Sequence, residues 1–147
     1  MEKQNFALME FGKLMREIFR IFKSRISELG EDDIKITHEQ FGLLHAISIK
    51  EEDVIQKDMA EIMGKDKSAI LRLIDSLEEK ELVRRVTDKN DRRKNYIMVT
   101  KLGEKLIKQY LQLGDEIMLE IQQDLSPEEV HFFHKTVKRL KTRAEKL

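Results

Sequence analysis

The apolar residues of this chain repeat with a helical period on both sides of one short interruption, and that interruption constrains the fold most. Up to residue 80, and again beyond residue 101, apolar side chains fall three and four positions apart, the spacing of one helix face. Between these stretches, residues 82–87 and 96–99 are short and rich in β-branched side chains. They flank an Asp- and Asn-bearing turn at 88–91 and read as two strands of a hairpin. One proline and six glycines in 147 residues leave room for long helices. The fold class expected is mainly α with a small β-hairpin.

The helical stretches resolve into separate elements. Residues 5–29 place Leu14, Ile18, Ile21, Phe22 and Leu29 on one face, and Phe6, Met9, Phe11, Phe19 and Ile26 widen it. A helix so broadly apolar needs cover from more than one side; Gly30 is placed to end it. Thr37 and Gln40 have the spacing of a capping box, opening a helix whose inner face is Phe41, Leu44 and Ile47. A polar break at 50–54 follows. A short helix then runs from Gln56 to Met63 and stops at Gly64. Another, capped within Asp66–Ser68, runs to Lys80 on Ile70, Leu73, Ile74 and Leu77. Two short helices joined at a glycine turn form a helix-turn-helix. After the hairpin, Leu102, Leu106, Leu113, Ile117 and Ile121 mark a long helix. Ser126, Pro127 and Glu129 open a last one carrying Phe132, Phe133, Val137, Leu140 and Ala144. The organisation expected is an N-terminal helix over 1–36, a DNA-binding domain over 37–100 and C-terminal helices over 101–147, the two flanks serving dimerisation.

Charge sharpens the reading. The chain has 28 basic and 28 acidic residues, yet residues 84–94 hold six basic residues against two acidic ones. Distribution rather than total charge governs nucleic-acid binding. A helix-turn-helix followed directly by a basic hairpin is, by order alone, a winged helix. Its second helix suits the major groove, and its hairpin suits the electronegative minor groove. The absence of cysteine excludes disulfides and thiol-based sensing. No phosphate loop, nucleophile elbow or metalloprotease helix is present, so no catalytic residue, enzyme activity or cofactor is expected. His131 and His134 are spaced i, i+3 but read as surface histidines rather than a metal site. No apolar run is long enough to span a bilayer, and the first residues lack a signal-peptide pattern. A cytoplasmic protein without a membrane partner is expected.

The residues from Ile55 to Gly103 resemble the core of the MarR family. Gln56–Glu61 is similar to the first part of its helix-turn-helix, Lys67–Leu77 to its recognition helix, and Asp88–Gly103 to its wing signature: an Asp-x-Arg pair, a short apolar strand, then Leu-Thr-x-x-Gly. The resemblance implies a winged helix-turn-helix transcription regulator, a homodimer with terminal dimerisation helices. It implies binding to a pseudo-palindromic operator in double-stranded DNA, usually as a repressor, with release by a small aromatic or phenolic effector. Lys67, Ser68, Ala69, Leu71 and Arg72 then form the reading face. Arg85, Lys89, Asp91, Arg92, Arg93 and Lys94 form the wing, with Asp91 orienting Arg93. Thr100 caps the following helix, and Gly103 allows close packing. Two positions depart from the family pattern. Val99 stands for the usual leucine, and Glu81 stands where glycine is common. A left-handed glutamate is costly, so a different local turn is expected there. No residue is singled out for an effector. The alternatives are an effector-independent DNA-binding regulator and a helical protein-interaction module.

Overall fold

Capping and termination signals in the sequence become helix ends in a computed structural model, which describes residues 2–28, 34–50 and 54–147, with side chains from residue 7 onward. The elements are α1 Glu2–Glu28, α2 His38–Ser48, β1 Val54–Ile55, α3 Gln56–Ile62, α4 Lys67–Glu79, β2 Val83–Thr87, β3 Asn95–Val99, α5 Lys101–Ile121 and α6 Pro127–Ala144. The expected stop of α1 at Leu29 and Gly30 lies outside the described residues, as does most of the polar break, residues 51–53.

Two compact units are present, one of Ile26–Gln112 and one of Met1–Arg25 with Leu113–Leu147. The divisions fall inside α1 and α5, so each of these helices contributes to both units.

The unit of residues 26–112 is built on a small aliphatic core. Leu43, Leu44, Met59, Ile70, Ile74, Leu77 and Leu82 are fully buried. Helix α2 enters through a complete capping box: Gln40 N–H donates to Thr37 Oγ1, and Thr37 N–H donates to Gln40 Oε1. The same Gln40 is buried and donates to Ser76 Oγ at 2.7 Å, joining α2 to α4. Phe41, expected on the inner face of α2, is half-buried instead. It stacks between His45 and Tyr110, with ring centroids 5.9 and 5.1 Å away. Burial raises the Tyr110 phenol above its ordinary pKa, against an opposing hydrogen bond with the Ile36 backbone.

Gly64 takes φ +60° between α3 and α4, a left-handed step open to glycine at little steric cost. Helix α4 ends in a Schellman motif. Leu82 N–H donates to the Leu77 carbonyl and Glu81 N–H to the Glu78 carbonyl, both at 2.9 Å. That motif puts Glu81 at φ +57°. The expectation of a different turn is therefore corrected: the glutamate adopts the left-handed conformation, because two backbone hydrogen bonds and the burial of Leu82 hold it there.

The hairpin is part of a three-stranded antiparallel sheet in the order β1-β3-β2. Val54 and Ile55 pair with Ile97 and Tyr96. Two residues are too few to show a period of two, so β1 was not visible in the sequence. Beyond β3, Thr100 Oγ1 accepts from Gly103 N–H at 3.0 Å and donates to the Glu81 carbonyl at 2.6 Å. It caps α5 and ties that cap to the end of α4. A Cβ on Gly103 would lie 2.3 Å from the Leu82 carbonyl oxygen, so this close approach requires glycine.

Among its described residues the other unit has helices as its only regular elements, with a turn at 122–126 between α5 and α6. Arg25 of α1 forks onto both carboxylate oxygens of Glu120 of α5, at 2.6 and 2.5 Å, and this hydrogen bonding holds the Glu120 pKa below the ordinary glutamate value. Helix α6 starts on the expected Ser126–Glu129 capping box with Pro127 in its first turn. It buries none of its residues. Phe132 and Leu140 are 71% and 65% exposed, and Leu8 on α1 is 74% exposed. No described helix is long and apolar enough to cross a membrane.

Candidate nucleic-acid interface

Helix α4 presents a stripe opposite its buried face. With Ile70, Ile74 and Leu77 turned into the core, Lys67, Ser68, Leu71, Arg72 and Asp75 are exposed, as the 3.6-residue period requires. Leu71 is 39% exposed. Ala69 is only half-buried and lies at the margin of this stripe. Asp66 caps the helix by accepting the Ala69 N–H at 2.9 Å. The first turn carries no acidic side chain, which leaves its positive dipole end unopposed by further carboxylates.

The loop between β2 and β3 is organised by Asp88, the first residue of the Asp- and Asn-bearing turn expected at 88–91. Its Oδ1 accepts the N–H groups of Asn90 and Asp91, at 2.6 and 3.0 Å. Its Oδ2 accepts the Tyr96 hydroxyl at 2.6 Å. The Tyr96 hydrogen bond, followed by the two amides, lowers the Asp88 pKa below the usual aspartate value. An Asp opening a turn folds back on its own backbone, as expected at 88–91; the Tyr96 partner, eight residues on across the hairpin, was not read from the sequence. A second turn closes when Lys94 N–H donates to the Asp91 carbonyl at 3.0 Å. Lys89, Asp91, Arg92, Arg93 and Lys94 are all exposed on this tip.

Two wing expectations need correction. The Asp91 carboxylate accepts the backbone N–H of Arg93 at 3.0 Å; it shapes the turn that carries Arg93 rather than gripping the guanidinium. The two residues are too close in the turn for the carboxylate to prefer the distant head group over the nearby amide. Arg85, expected among the exposed wing cations, turns inward. On β2 side chains alternate faces. Arg85 pairs in register with the buried Ile97, and Arg84 with the exposed Met98. Arg85 Nε donates to Gln56 Oε1 at 3.0 Å, and its terminal nitrogens pair with Asp75 and Glu78. Arg84 is the exposed cation of the pair.

The histidines of α6, His131 and His134, are exposed. Among the described residues no group of three or more His, Asp or Glu side chains is arranged to hold a metal ion.

The model of the MarR family matches residues 34–94, which span α2, the helix-turn-helix and the wing tip. The transcriptional regulator HosA of Escherichia coli is 24% identical over 129 residues, covering 88% of this chain and 95% of its own. The crystal structure of wild-type apo MarR from E. coli superposes with a TM-score of 0.66 at 25% identity, over 88% of this chain and 94% of that one. Over residues 34–94 the chain is similar to the MarR family of transcriptional regulators. The S. aureus MepR–DNA complex shares the fold, with a TM-score of 0.70 at 22% identity over 90% of this chain and 94% of that one. In the terms of that family, α3 and α4 correspond to the helix-turn-helix and β2–β3 to the wing.

Proposed function

We propose that this chain binds a pseudo-palindromic operator in double-stranded DNA as a cytoplasmic homodimer, represses transcription there, and is released by a small aromatic or phenolic effector. The observation that carries the reading is that one compact unit bears both an exposed polar and basic stripe on α4 and a basic wing tip. In this reading Lys67, Ser68, Leu71 and Arg72 face base edges, with Ala69 at their margin. Arginine suits guanine, and leucine suits the thymine methyl. Lys89, Arg92, Arg93 and Lys94 meet phosphates or the minor groove, and Asp91 holds their turn. A twofold axis spaces two such helices one DNA turn apart, roughly 34 Å, and an effector acts by changing that spacing.

Selection of operator sequences from random DNA, followed by affinity measured against salt, tests the reading. Arg72→Ala is expected to cost about 1–3 kcal/mol and to relax preference at one position. Arg93→Ala is expected to weaken all sequences and to make the salt slope shallower by about one unit. Binding that ignores salt overturns the DNA reading in favour of a protein-interaction module. Thermal shift of the operator complex against aromatic acids tests the effector, and its absence leaves an effector-independent regulator.

A further inference from the structure

Arg85 joins three elements of the unit that carries the proposed interface. Its Nε donates to Gln56 at the start of α3, its terminal nitrogens pair with Asp75 and Glu78 of α4, and its backbone N–H donates to Glu78 Oε1 at 3.1 Å. Asp75 stands in the exposed stripe of α4, four residues after Leu71 and three after Arg72, so it shares their face. Two carboxylates on or beside a face that meets phosphate would repel it. The Arg85 guanidinium supplies the compensating charge from behind, on the inner side of β2. Partial burial opposes the charge of Arg85, but hydrogen bonds and attraction from Asp75 and Glu78 outweigh it, and its pKa is raised. Three of the five guanidinium N–H donors are committed to two carboxylates and an amide oxygen, so carrying the head group out to a phosphate means abandoning those bonds.

We propose that Arg85 is a positioning residue for DNA binding, pinning the wing strand to the recognition helix and neutralising the two carboxylates beside the reading stripe without touching DNA itself. The proposal rests on the DNA-binding reading above. It assigns Arg85 a role different from that of the exposed cations Arg92 and Arg93.

A lysine separates the two roles. It carries the same charge to a phosphate, but as a point charge it lacks the planar fork that bridges Asp75, Glu78 and Gln56. Binding of the intact chain to its selected operator is measured over a range of salt for the unmodified protein, Arg85→Lys and Arg85→Ala. Arg85→Ala is also measured in an Asp75→Asn/Glu78→Gln background. Thermal melting reports folding of each variant. The expected result is a loss of about tenfold for both single variants with an unchanged salt slope, and a loss of about threefold or less for Arg85→Ala in the neutralised background. Wild-type affinity in Arg85→Lys overturns the proposal, as does a slope shallower by about one unit in Arg85→Ala. An equal loss in both backgrounds overturns it too. If Arg85→Ala does not fold, the lysine variant decides alone. Absence of salt-dependent binding by the unmodified chain, measured first, overturns the DNA reading itself and this proposal with it.

Discussion

Glu81 holds a conformation that glycine adopts freely, at φ +57°, and its side chain is exposed. The left-handed region costs an L-residue roughly 1–2 kcal/mol, and part of that is returned because glutamate has less backbone freedom to lose than glycine. Glu81→Gly is therefore expected to raise stability by about 0.5–1 kcal/mol, read as a higher urea midpoint with an unchanged slope. Gly103 makes the opposite case across the same junction. A methyl group there would sit 2.3 Å from the Leu82 carbonyl oxygen and 2.8 Å from Val99 Cγ1. The first neighbour is backbone and cannot rotate away. Gly103→Ala is expected to destabilise the chain by about 1–3 kcal/mol, measured in the same unfolding experiment. The second neighbour, Val99 Cγ1, belongs to a short side chain with little room to turn aside.

At the wing tip, the Asp88 carboxylate gathers the most hydrogen bonds. Asp88 is hydrogen-bonded by Tyr96 and by the N–H groups of Asn90 and Asp91, and its pKa lies below the ordinary aspartate value of 3.8. A folded pKa below the unfolded one means that the stabilisation is complete above 3.8 and is lost as pH falls through the lowered value. The wing tip should thus be fully formed at neutral pH and titrate only in strong acid. NMR shifts of the Asn90 and Asp91 amides should report a midpoint below 3.8. Tyr96→Phe removes the largest cause of the shift and should move that midpoint upward. An unchanged midpoint in Tyr96→Phe would show that the phenol does not hold the carboxylate.

For the whole molecule, the telling property is the apolar surface of the helical unit. Leu8, Met9 and Phe11 on α1, Leu119 on α5 and Phe132 and Leu140 on α6 are exposed, and a groove of about 720 Å³ between the end of α5 and α6 is lined by Leu119, Leu125, Val130, Phe133 and Val137. Each large apolar side chain covered contributes about 1.5–3 kcal/mol, so a second copy of the chain has ample surface to bury. Sedimentation at micromolar concentration is expected to give twice the chain mass of 17.5 kDa. Phe132→Glu should shift the balance toward monomer by at least about tenfold. A well-folded monomer of the unmodified chain under these conditions would refute the proposed dimer.

What the sequence determined by itself was whatever is written in neighbouring residues. The capping boxes at Thr37 and Ser126, the glycine turn at Gly64, the inner face of α4 and the change of period into the wing strands all depend on residues within one or two turns of each other. The cap at Thr100 and the tight packing at Gly103 were legible through the family's wing signature. The tertiary structure decided what depends on residues far apart. Strand β1 exists only because β3 passes beside Val54 and Ile55. Glu81 is held left-handed by the packing of Leu82 and by the bond from Thr100, nineteen residues on. Arg85 and Arg84 are adjacent cations with no difference in composition between them. Their fates differ because the pleat turns Arg85 toward Asp75 and Glu78 on another element, and the alternation that could have told them apart acquires a direction only once the sheet has a core to face.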